Sequence, residues 1–418
     1  MRPLIRIIDV TNRDGVQTSR LGLAKLEKTI MNTLLDEFGV FQSEFGFPFT
    51  NHEINYLNAN LALAEQGAFR NMRLAGWCTV RMKEIEKALA SVPKLKHMNV
   101  SVSTSEQMIR GKFEGRMTHG DVIKTTLAAM KRLQEAGYET VGVNAEDASR
   151  TQMQFLKEFS LAAKESGAVR LRYCDTLGYD DTSSIYDRLL ELASDVKIPF
   201  EVHCHNDLGM AVACSCAAAI ATTDAGQDAY INTCANGMGE RAGNADLVSV
   251  VLALKQSASW GERNLLDPRI DLSVAWRLAK YASYAFNVPI PINQPGVGAN
   301  AFAHESGIHA DGALKDRRNY ELYGFEELGR GGARDRGDGP THHGGGVLRH
   351  QGIPERLREA GGGVQGRRGG DPDSGARPLC ERPHTEAAHG LRAQVHRRPS
   401  RRGETDYDRP AAHIGGPP

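Results

Sequence analysis

The feature that most constrains the fold of this 418-residue chain is a series of short β-branched and apolar runs, spaced so that a helix fits between each pair. Such spacing is typical of βα units around a parallel sheet. The eight runs cover residues 5–10, 40–47, 72–77, 97–102, 140–145, 169–174, 199–204 and 229–233. Eight parallel strands predict closure into a (β/α)8 TIM barrel, a fold of about 250 residues.

Amphipathic segments between the runs support the same prediction. Apolar residues recur at spacings of three and four in residues 121–136, 152–166, 183–193 and 244–257, which we expect to form the outer ring of helices. We therefore assign residues 1–262 to the barrel. Residues 263–329 are predicted to form a linker and a partial helical accessory subdomain, with a helix over 272–286 and a Pro/Gly-rich connection over 289–298.

The composition changes abruptly after residue 329. Residues 330–418 are rich in Gly, Arg and Pro and contain no Lys, Asn, Met, Phe or Trp. A segment so poor in large apolar groups is expected to be disordered, since it cannot bury enough surface to offset its ordering entropy. Translation of a G/C-rich gene in the wrong frame is one hypothesis for this tail, which resequencing would test; a basic low-complexity interaction tail is the other.

The overall charge and the cysteines restrict the class of protein. The chain has 51 basic and 51 acidic residues, so its net charge is zero and does not indicate a nucleic-acid or membrane-surface partner. No stretch approaches the roughly 18 apolar residues of a membrane span, and the N-terminus does not read as a signal peptide. Seven cysteines without a C-x-x-C pair fit a reducing compartment. We expect a cytoplasmic metabolic enzyme.

Polar clusters follow four of the predicted strands, at residues 11–17, 146–150, 175–178 and 203–207. Any one cluster could simply mark a strand end. Four together favour an active site, because the loops after the strands of such a barrel surround a common mouth.

The pair His203 and His205 indicates a metal site. Residues two apart on a strand face the same side, so the two imidazoles can bind the same metal ion. Asp14, just past the first strand, would supply an oxygen, although Asp14-Gly15 could instead only form a turn. Two histidines and one carboxylate with open positions suit Mg²⁺ or Mn²⁺ holding a bidentate 2-oxo acid, with Zn²⁺ as an alternative.

Four motifs together resemble the signatures of the DRE-TIM metallolyase family. They are Asp-Val-Thr-Asn-Arg-Asp-Gly-Val-Gln (9–17), His-Cys-His-Asn-Asp-Leu-Gly (203–209), Asn-Gly-Met-Gly-Glu-Arg-Ala-Gly-Asn (236–244) and His-Glu-Ser-Gly-Ile-His-Ala-Asp-Gly (304–312). The resemblance covers residues 4–329 and is to the Claisen-condensing branch, which contains the homocitrate, isopropylmalate and citramalate synthases.

The resemblance implies a role for each motif residue. Asn244 would join Asp14, His203 and His205 around the metal, and Arg13 would stabilise the oxygen of the 2-oxo group. The remaining implied residues are Gln17, which would support Arg13 and the metal ligands, Glu146, which would orient the acetyl group, and Thr176, which would contact the carboxylate of the oxo acid.

The resemblance also implies the catalytic base and the oligomeric state. His309, assisted by Tyr320, is the candidate to take a proton from the methyl group of acetyl-CoA. In this family that segment reaches over the neighbouring subunit's barrel, so a homodimer is implied. From the sequence alone, His309 could equally be a helix-surface residue.

The acceptor substrate is less constrained than the reaction. Lysine-pathway homocitrate synthases carry an arginine on the fifth strand, where this chain reads Thr-Val-Gly-Val-Asn, and we predict Arg172 as the substitute contact. This pattern resembles the bacterial, nitrogenase-associated homocitrate synthases, which implies 2-oxoglutarate as acceptor and homocitrate as product. Isopropylmalate, citramalate or Re-type citrate synthesis remain alternatives, as do an aldol-cleaving lyase and an inactive truncated homologue.

Overall fold

Eight parallel strands close into a barrel in the computed structural model, which describes residues 2–331. The strand order follows the chain from β1 to β8, and β8 pairs with β1. The strands are β1 (Ile5–Asp9), β2 (Gln42–Gly46), β3 (Arg73–Thr79), β4 (His97–Ser103), β5 (Thr140–Glu146), β6 (Leu171–Asp175), β7 (Phe200–Cys204) and β8 (Ala229–Thr233). Each overlaps one of the predicted runs, so the predicted TIM barrel is confirmed.

Helices follow the strands and cover the outside of the barrel. They are α1 (Lys25–Phe38), α2 (Asn51–Glu65), α3 (Met82–Ser91), α4 (Glu106–Gly111), α5 (His119–Glu135), α6 (Met153–Glu165), α7 (Thr182–Val196), α8 (Ala211–Asp224), α9 (Leu247–Gln256) and α10 (Ala258–Arg263). The four amphipathic segments predicted as outer helices correspond to α5, α6, α7 and α9.

Apolar contacts between the strands and the surrounding helices hold this architecture together. Strand residues that point outward, such as Val202 and Ile231, are fully buried against the helices. The alanine-rich α8 is buried along most of its length, because its small side chains allow it to lie close to β7, β8 and α7. The strand residues that point inward are largely polar, which separates this barrel from the apolar interior usual for the fold.

The segment after the barrel forms two further helices, α11 (Ala275–Phe286) and α12 (Gly307–Lys315). The predicted helix over 272–286 is confirmed as a 3₁₀ turn over Leu272–Val274 that leads into α11. α11 packs on α1, whereas α12 has no buried residue. The domain boundaries at 262 and 329 stay a prediction, and the predicted disordered tail lies, from residue 332 onward, outside the described residues.

The chain returns to the barrel at Leu328, whose side chain is fully buried. The next residue, Gly329, has φ +72°, and a Cβ there would lie 2.0 Å from the Ser273 carbonyl oxygen. Only glycine permits this contact between the chain and the start of α11. Among residues 2–331, no helix is both long and apolar enough to cross a membrane.

Candidate active site

Asp14 is fixed by the tight turn that follows β1. Its backbone N–H donates to the Val10 carbonyl at 2.7 Å, and the N–H of Gly15 donates to the same oxygen at 3.1 Å. Asn12 anchors the turn to α1, since its amide donates to the Lys28 carbonyl at 2.9 Å. The Asp14 carboxylate is therefore held at the carboxyl end of the barrel with only 3% of its surface exposed.

The two histidines reach the same place from β7. His203 lies on the strand, whereas His205 lies just past its end, where it forms an isolated antiparallel bridge with Asn244. Their Nε2 atoms are 3.2 Å apart, and the His203 Nε2 lies 4.0 Å from Asp14 Oδ2. One ligand atom from each of the three side chains falls within 4.8 Å of the others. The predicted Asp14, His203 and His205 are thus brought together.

The protonation states of this cluster suit a divalent cation. Burial lowers the pKa of His203 and of His205, although the Asp14 carboxylate opposes the shift, so both imidazoles are neutral near neutral pH. Burial alone would raise the pKa of Asp14, but the Arg13 guanidinium, the two histidines and the Asn244 hydrogen bond together outweigh it and hold that pKa well below its usual range. Neutral imidazoles and an ionised carboxylate are the forms that bind a metal.

Unpartnered atoms also fit a metal at this position. Asn244 donates from Nδ2 to Asp14 Oδ2 at 2.5 Å, and its buried Oδ1 has no hydrogen-bond partner within residues 2–331. The Nε2 atoms of His203 and His205 face each other and Asp14, so their lone pairs can bind the same ion. The donor set therefore fits a divalent ion, with Asn244 beside it.

A network of buried charges lies beneath this cluster. Arg13 Nε donates to Glu44 Oε2 at 2.7 Å, and Arg13 Nη1 donates to Asp14 Oδ1 at 2.5 Å. Glu44 also accepts from Arg172 Nη2 at 2.8 Å, and Arg172 Nε donates to Glu201 at 2.7 Å. Burial would lower the pKa of Arg13, but Glu44 and Asp14 reverse the effect and raise it. Arg13 therefore presents a fixed positive charge next to the candidate metal ligands.

Arg172, predicted as a substrate contact, is committed to this network. Its Nη2 bonds Glu201 as well as Glu44, and its Nη1 donates to Glu44 at 3.2 Å. The Asn144 side-chain oxygen, in the orientation its neighbours require, accepts from Arg172 Nη1 at 3.1 Å. Each of the three guanidinium nitrogens thus has a buried partner. Its contact with substrate stays a prediction. The bonds to Glu44 and Glu201 argue against it, because they already occupy the guanidinium.

Glu146 stands at the end of β5 in a polar triad. Lys112 Nζ lies 2.6 Å from Glu146 Oε2 and 2.8 Å from Oε1, and the Ser103 hydroxyl donates to Oε2 at 2.5 Å. On the next strand's loop, the Thr176 hydroxyl accepts from the Asp147 backbone N–H at 2.9 Å.

These groups line one cavity of about 600 Å³ at the carboxyl end of the barrel. Of the predicted site residues, it is lined by Arg13, Asp14, Gln17, Glu146, Arg172, Thr176, His203 and His205. Asn244 reaches it through Asp14. The lining also includes the apolar residues Trp77, Val80, Val102, Phe113 and Met117, and the Trp77 ring lies 5.3 Å from the Arg13 guanidinium.

His309 and Tyr320 lie elsewhere in the chain and do not line this cavity. His309 is exposed on α12, and its ring stacks on that of Tyr320 with centroids 4.3 Å apart. His304 is close to both, at 6.4 Å from His309 and 6.1 Å from Tyr320. The structure brings the two predicted base residues to each other but not to their own barrel.

Sequence reasoning missed three residues that shape the site: Glu44, Lys112 and Glu201. A signal for two of them was present, since Glu201 and His203 on β7 alternate with buried apolar neighbours, and Gln42 and Glu44 on β2 are likewise two residues apart. Polar residues repeating with period two mark the inner face of a strand. Lys112 carried no such signal, because it follows α4 in a loop.

Comparisons with known proteins agree with this geometry. The HMGL-like family matches residues 4–281, and the homocitrate synthase post-HMGL domain-like family matches residues 297–338. The chain is 60% identical over 329 residues to the citrate (Re)-synthase of Dehalococcoides mccartyi, covering 79% of each chain. It is 34% identical over 328 residues to homocitrate synthase 1 of Nostoc sp., covering 78% of this chain and 81% of that one.

Among solved structures, an HMG-CoA lyase from Acinetobacter baumannii, in complex with coenzyme A and 3-methylmalate, has the same barrel. It superimposes with a TM-score of 0.57 at 15% identity, over 72% of this chain and 98% of the lyase. That similarity concerns the fold alone. The family matches and the 60% identity establish that this chain belongs to the HMGL-like family of DRE-TIM metallolyases, with a homocitrate synthase post-HMGL segment after its barrel.

Proposed function

We propose that the protein is a metal-dependent acyltransferase that condenses acetyl-CoA with oxaloacetate to give citrate and CoA. The observation that carries the choice of acceptor is the 60% identity with a citrate (Re)-synthase, against 34% with a homocitrate synthase. The 2-oxoglutarate expected from the sequence motifs ranks second. Both acceptors are 2-oxo dicarboxylic acids.

Asp14, His203 and His205 would hold the divalent ion, with Asn244 beside them. When bound, such an ion acts as a Lewis acid on the 2-oxo group of the acceptor. Mg²⁺ or Mn²⁺ fits a set that contains one carboxylate and leaves positions open for substrate oxygens, and Zn²⁺ is the alternative.

Arg13 would stabilise the negative charge that develops on the acceptor oxygen. Its guanidinium is held by Glu44 and Asp14 before substrate arrives, so it needs no reorganisation during the reaction. Gln17 and Thr176, which also line the cavity, would bind the carboxylate next to the 2-oxo group. Glu146, held by Lys112 and Ser103, would orient the acetyl group.

His309 would act as the base that removes a proton from the acetyl methyl group. The resulting carbon nucleophile attacks the 2-oxo carbon, the oxygen there takes up a proton, and water then hydrolyses the thioester to release CoA. Because His309 and Tyr320 are absent from the wall of their own cavity, we propose that they act in the barrel of a second subunit. The protein would then be a homodimer.

Two other activities are the alternatives. An aldol-cleaving lyase would share the barrel and the metal site but would not need the segment that carries His309 and Tyr320, so the presence of that segment favours condensation. An inactive homologue would keep the site but not turn over.

The experiment measures CoA release from acetyl-CoA with Mg²⁺ or Mn²⁺ and each of four acceptors: oxaloacetate, 2-oxoglutarate, 2-oxoisovalerate and pyruvate. Selective turnover of oxaloacetate, with citrate identified as product, is expected. Selective turnover of another acceptor would replace oxaloacetate in the proposal. If no CoA is released with any of the four acceptors, in a protein that still binds metal, the result would favour the inactive homologue.

A further inference from the structure

We propose that Lys112 selects the acceptor by binding the carboxylate farthest from the 2-oxo group, so that the enzyme prefers dicarboxylic over monocarboxylic oxo acids. The inference rests on the proposed function and adds a residue that determines its specificity. The Arg172 contact predicted from the sequence would be replaced by Lys112.

Five lysine and arginine side chains line the cavity: Arg13, Arg81, Lys112, Arg172 and Arg241. The three guanidinium nitrogens of Arg172 all have buried partners, and Arg13 is held by Asp14 and Glu44. A guanidinium is a rigid planar fork, so neither can turn toward a new ligand without breaking several bonds to buried carboxylates.

The two remaining arginines are less suitable. Arg241 binds Asp207 through Nε and Nη2, both at 2.8 Å, and also donates to the Thr176 carbonyl. Arg81 stands at the outer rim with a side chain 73% exposed, and its ion pair with Glu84 is long, at 3.7 Å. Water screens a charge in that position more strongly than at Lys112, whose side chain is 44% exposed and paired at 2.6 Å with Glu146.

Lys112 combines a fixed position with donors that can be redirected. Its ammonium bonds both oxygens of Glu146 and, at 3.1 Å, the Ser103 hydroxyl. An ammonium carries three donors and rotates about its own bond. One donor can move from Ser103 to an incoming carboxylate at small cost, because Ser103 keeps its own hydrogen bond to Glu146.

The strand register places Glu146, the partner of Lys112, on the same rim of the barrel as the candidate metal ligands. Ala145 pairs with Tyr173 and Cys174 pairs with His203, so the backbone of Glu146 lies two strands away from His203, about 10 Å. The Lys112 ammonium contacts the Glu146 carboxylate and lines the same cavity as His203. A four-carbon diacid, whose carboxyl carbons are about 4 Å apart, is of a length comparable to this strand separation once a bond of about 2–3 Å is added at each end.

The surroundings of Lys112 explain why it would discriminate. Besides Lys112, the cavity lining includes the apolar Trp77, Val102, Phe113 and Met117 as well as the polar Ser101, Ser103 and Arg81. A carboxylate that loses part of its hydration against the apolar residues needs a cation or another donor in exchange. An acceptor with an apolar end leaves the Lys112 ammonium bound to Glu146 and gains nothing from it.

The test compares Lys112→Met with the wild-type full-length protein loaded with Mn²⁺. Dissociation constants are measured by calorimetry for freshly dissolved oxaloacetate and for 2-oxobutyrate, which has the same four carbons but no second carboxylate. The ratio that favours oxaloacetate is expected to fall about 5-fold in Lys112→Met, the loss of one hydrogen bond between charged groups at a partly exposed position. Lys112→Arg should restore part of the ratio. The matched control is Lys131→Met on the outer face of α5, which should leave both constants unchanged.

The outcomes separate this inference from the proposed function. If Lys112→Met weakens both acids equally, Lys112 acts through Glu146 and the inference is overturned. It is also overturned if Arg81→Met, rather than Lys112→Met, lowers the ratio. A wild type that shows the Lys112-dependent ratio but releases no CoA would contradict the proposed condensation and support the binding role. A wild type that binds neither acid would overturn both.

Discussion

The Nε2 atoms of His203 and His205 lie 3.2 Å apart, and both face the Asp14 carboxylate. Each neutral ring has one N–H and one lone pair, so a hydrogen bond between the two Nε2 atoms needs one ring to donate and the other to accept, whereas a cation between them would bind the lone pairs of both. The buried Asn244 Oδ1, beside Asp14, has no partner among the described residues. A cation at this position would supply that contact, and an unsatisfied buried group costs about 1–3 kcal/mol.

Removing one ligand should therefore release the metal. We expect His203→Ala and Asp14→Asn to lower the affinity for Mn²⁺ by at least about 10-fold, a loss typical even of changes to groups that only orient a metal ligand. The measurement is metal content after dialysis, with Mn²⁺ titration followed by electron paramagnetic resonance. Chelation should abolish CoA release by the wild type, and added metal should restore it.

His97 offers a matched control for the histidine substitution. It begins β4, at the other end of the barrel, and its ring contacts only the Thr140 hydroxyl by a hydrogen bond, at 2.9 Å. His97→Ala should keep its metal. Equal Mn²⁺ binding by His203→Ala and the wild type would contradict the assigned site.

We expect Arg172 to contribute mainly to the free energy of unfolding and not to substrate binding. It is the shared partner of Glu44 and Glu201, all three being at most 2% exposed. Arg172→Met leaves two buried carboxylates short of a partner, and breaking a buried ion pair in this way costs about 3–5 kcal/mol. Urea unfolding should show a loss of that order. The double variant Arg172→Met/Glu201→Gln, which also removes one of the stranded charges, should recover part of it.

A different result would restore the role predicted from the sequence. If Arg172→Ala folds with unchanged stability and raises the Michaelis constant for the oxo acid, the guanidinium contacts substrate. An unchanged Michaelis constant in a destabilised protein would confirm the structural role.

The fold was accessible from the sequence because its signal is local and repeated. Each strand is a short apolar run bounded by polar residues, and eight of them leave few alternatives to a closed barrel. The metal site was accessible for a similar reason: the spacing of His203 and His205 fixes their shared face, although the strand itself ends at Cys204. These inferences needed no knowledge of long-range contacts.

The charge pairing inside the barrel was not accessible in this way. Period two shows that Arg172 faces inward, but it does not show that Glu44, 128 positions away in the chain, would occupy its donors. The position of Lys112 depends on how the loop after α4 folds back onto β5. Both are properties of the closed barrel, in which residues distant in sequence share one interior.

Asp9 predicts a pH dependence of stability. Burial raises the pKa of Asp9 to about 7, with Asp246 adding to the shift and Thr11 opposing it through two hydrogen bonds. The unfolded chain has the ordinary value, about 4. Between these values the folded state holds more protons, so stability contributed by Asp9 is present at low pH and is lost as the pH rises from about 4 to 7.

The variant Asp9→Asn should isolate this effect. Its unfolding free energy, measured in urea from pH 4.5 to 7.5, is expected to fall less with rising pH than that of the wild type, by at most about 1.4 kcal/mol per pH unit. Parallel curves for the two proteins would show that Asp9 is ionised in the folded state across this range.

The separation of His309 from its own cavity predicts complementation between inactive variants. His309→Ala lacks the proposed base and His203→Ala lacks a metal ligand, so each homodimer should be inactive. If His309 acts in the partner's barrel, a mixed dimer contains one site with both defects and one intact site. Random mixing after co-expression should then restore about a quarter of the wild-type activity, because half of the dimers are mixed and each has one working site. Sedimentation measures the dimer independently, and a stable dimer with no restored activity would place His309 in its own subunit's reaction.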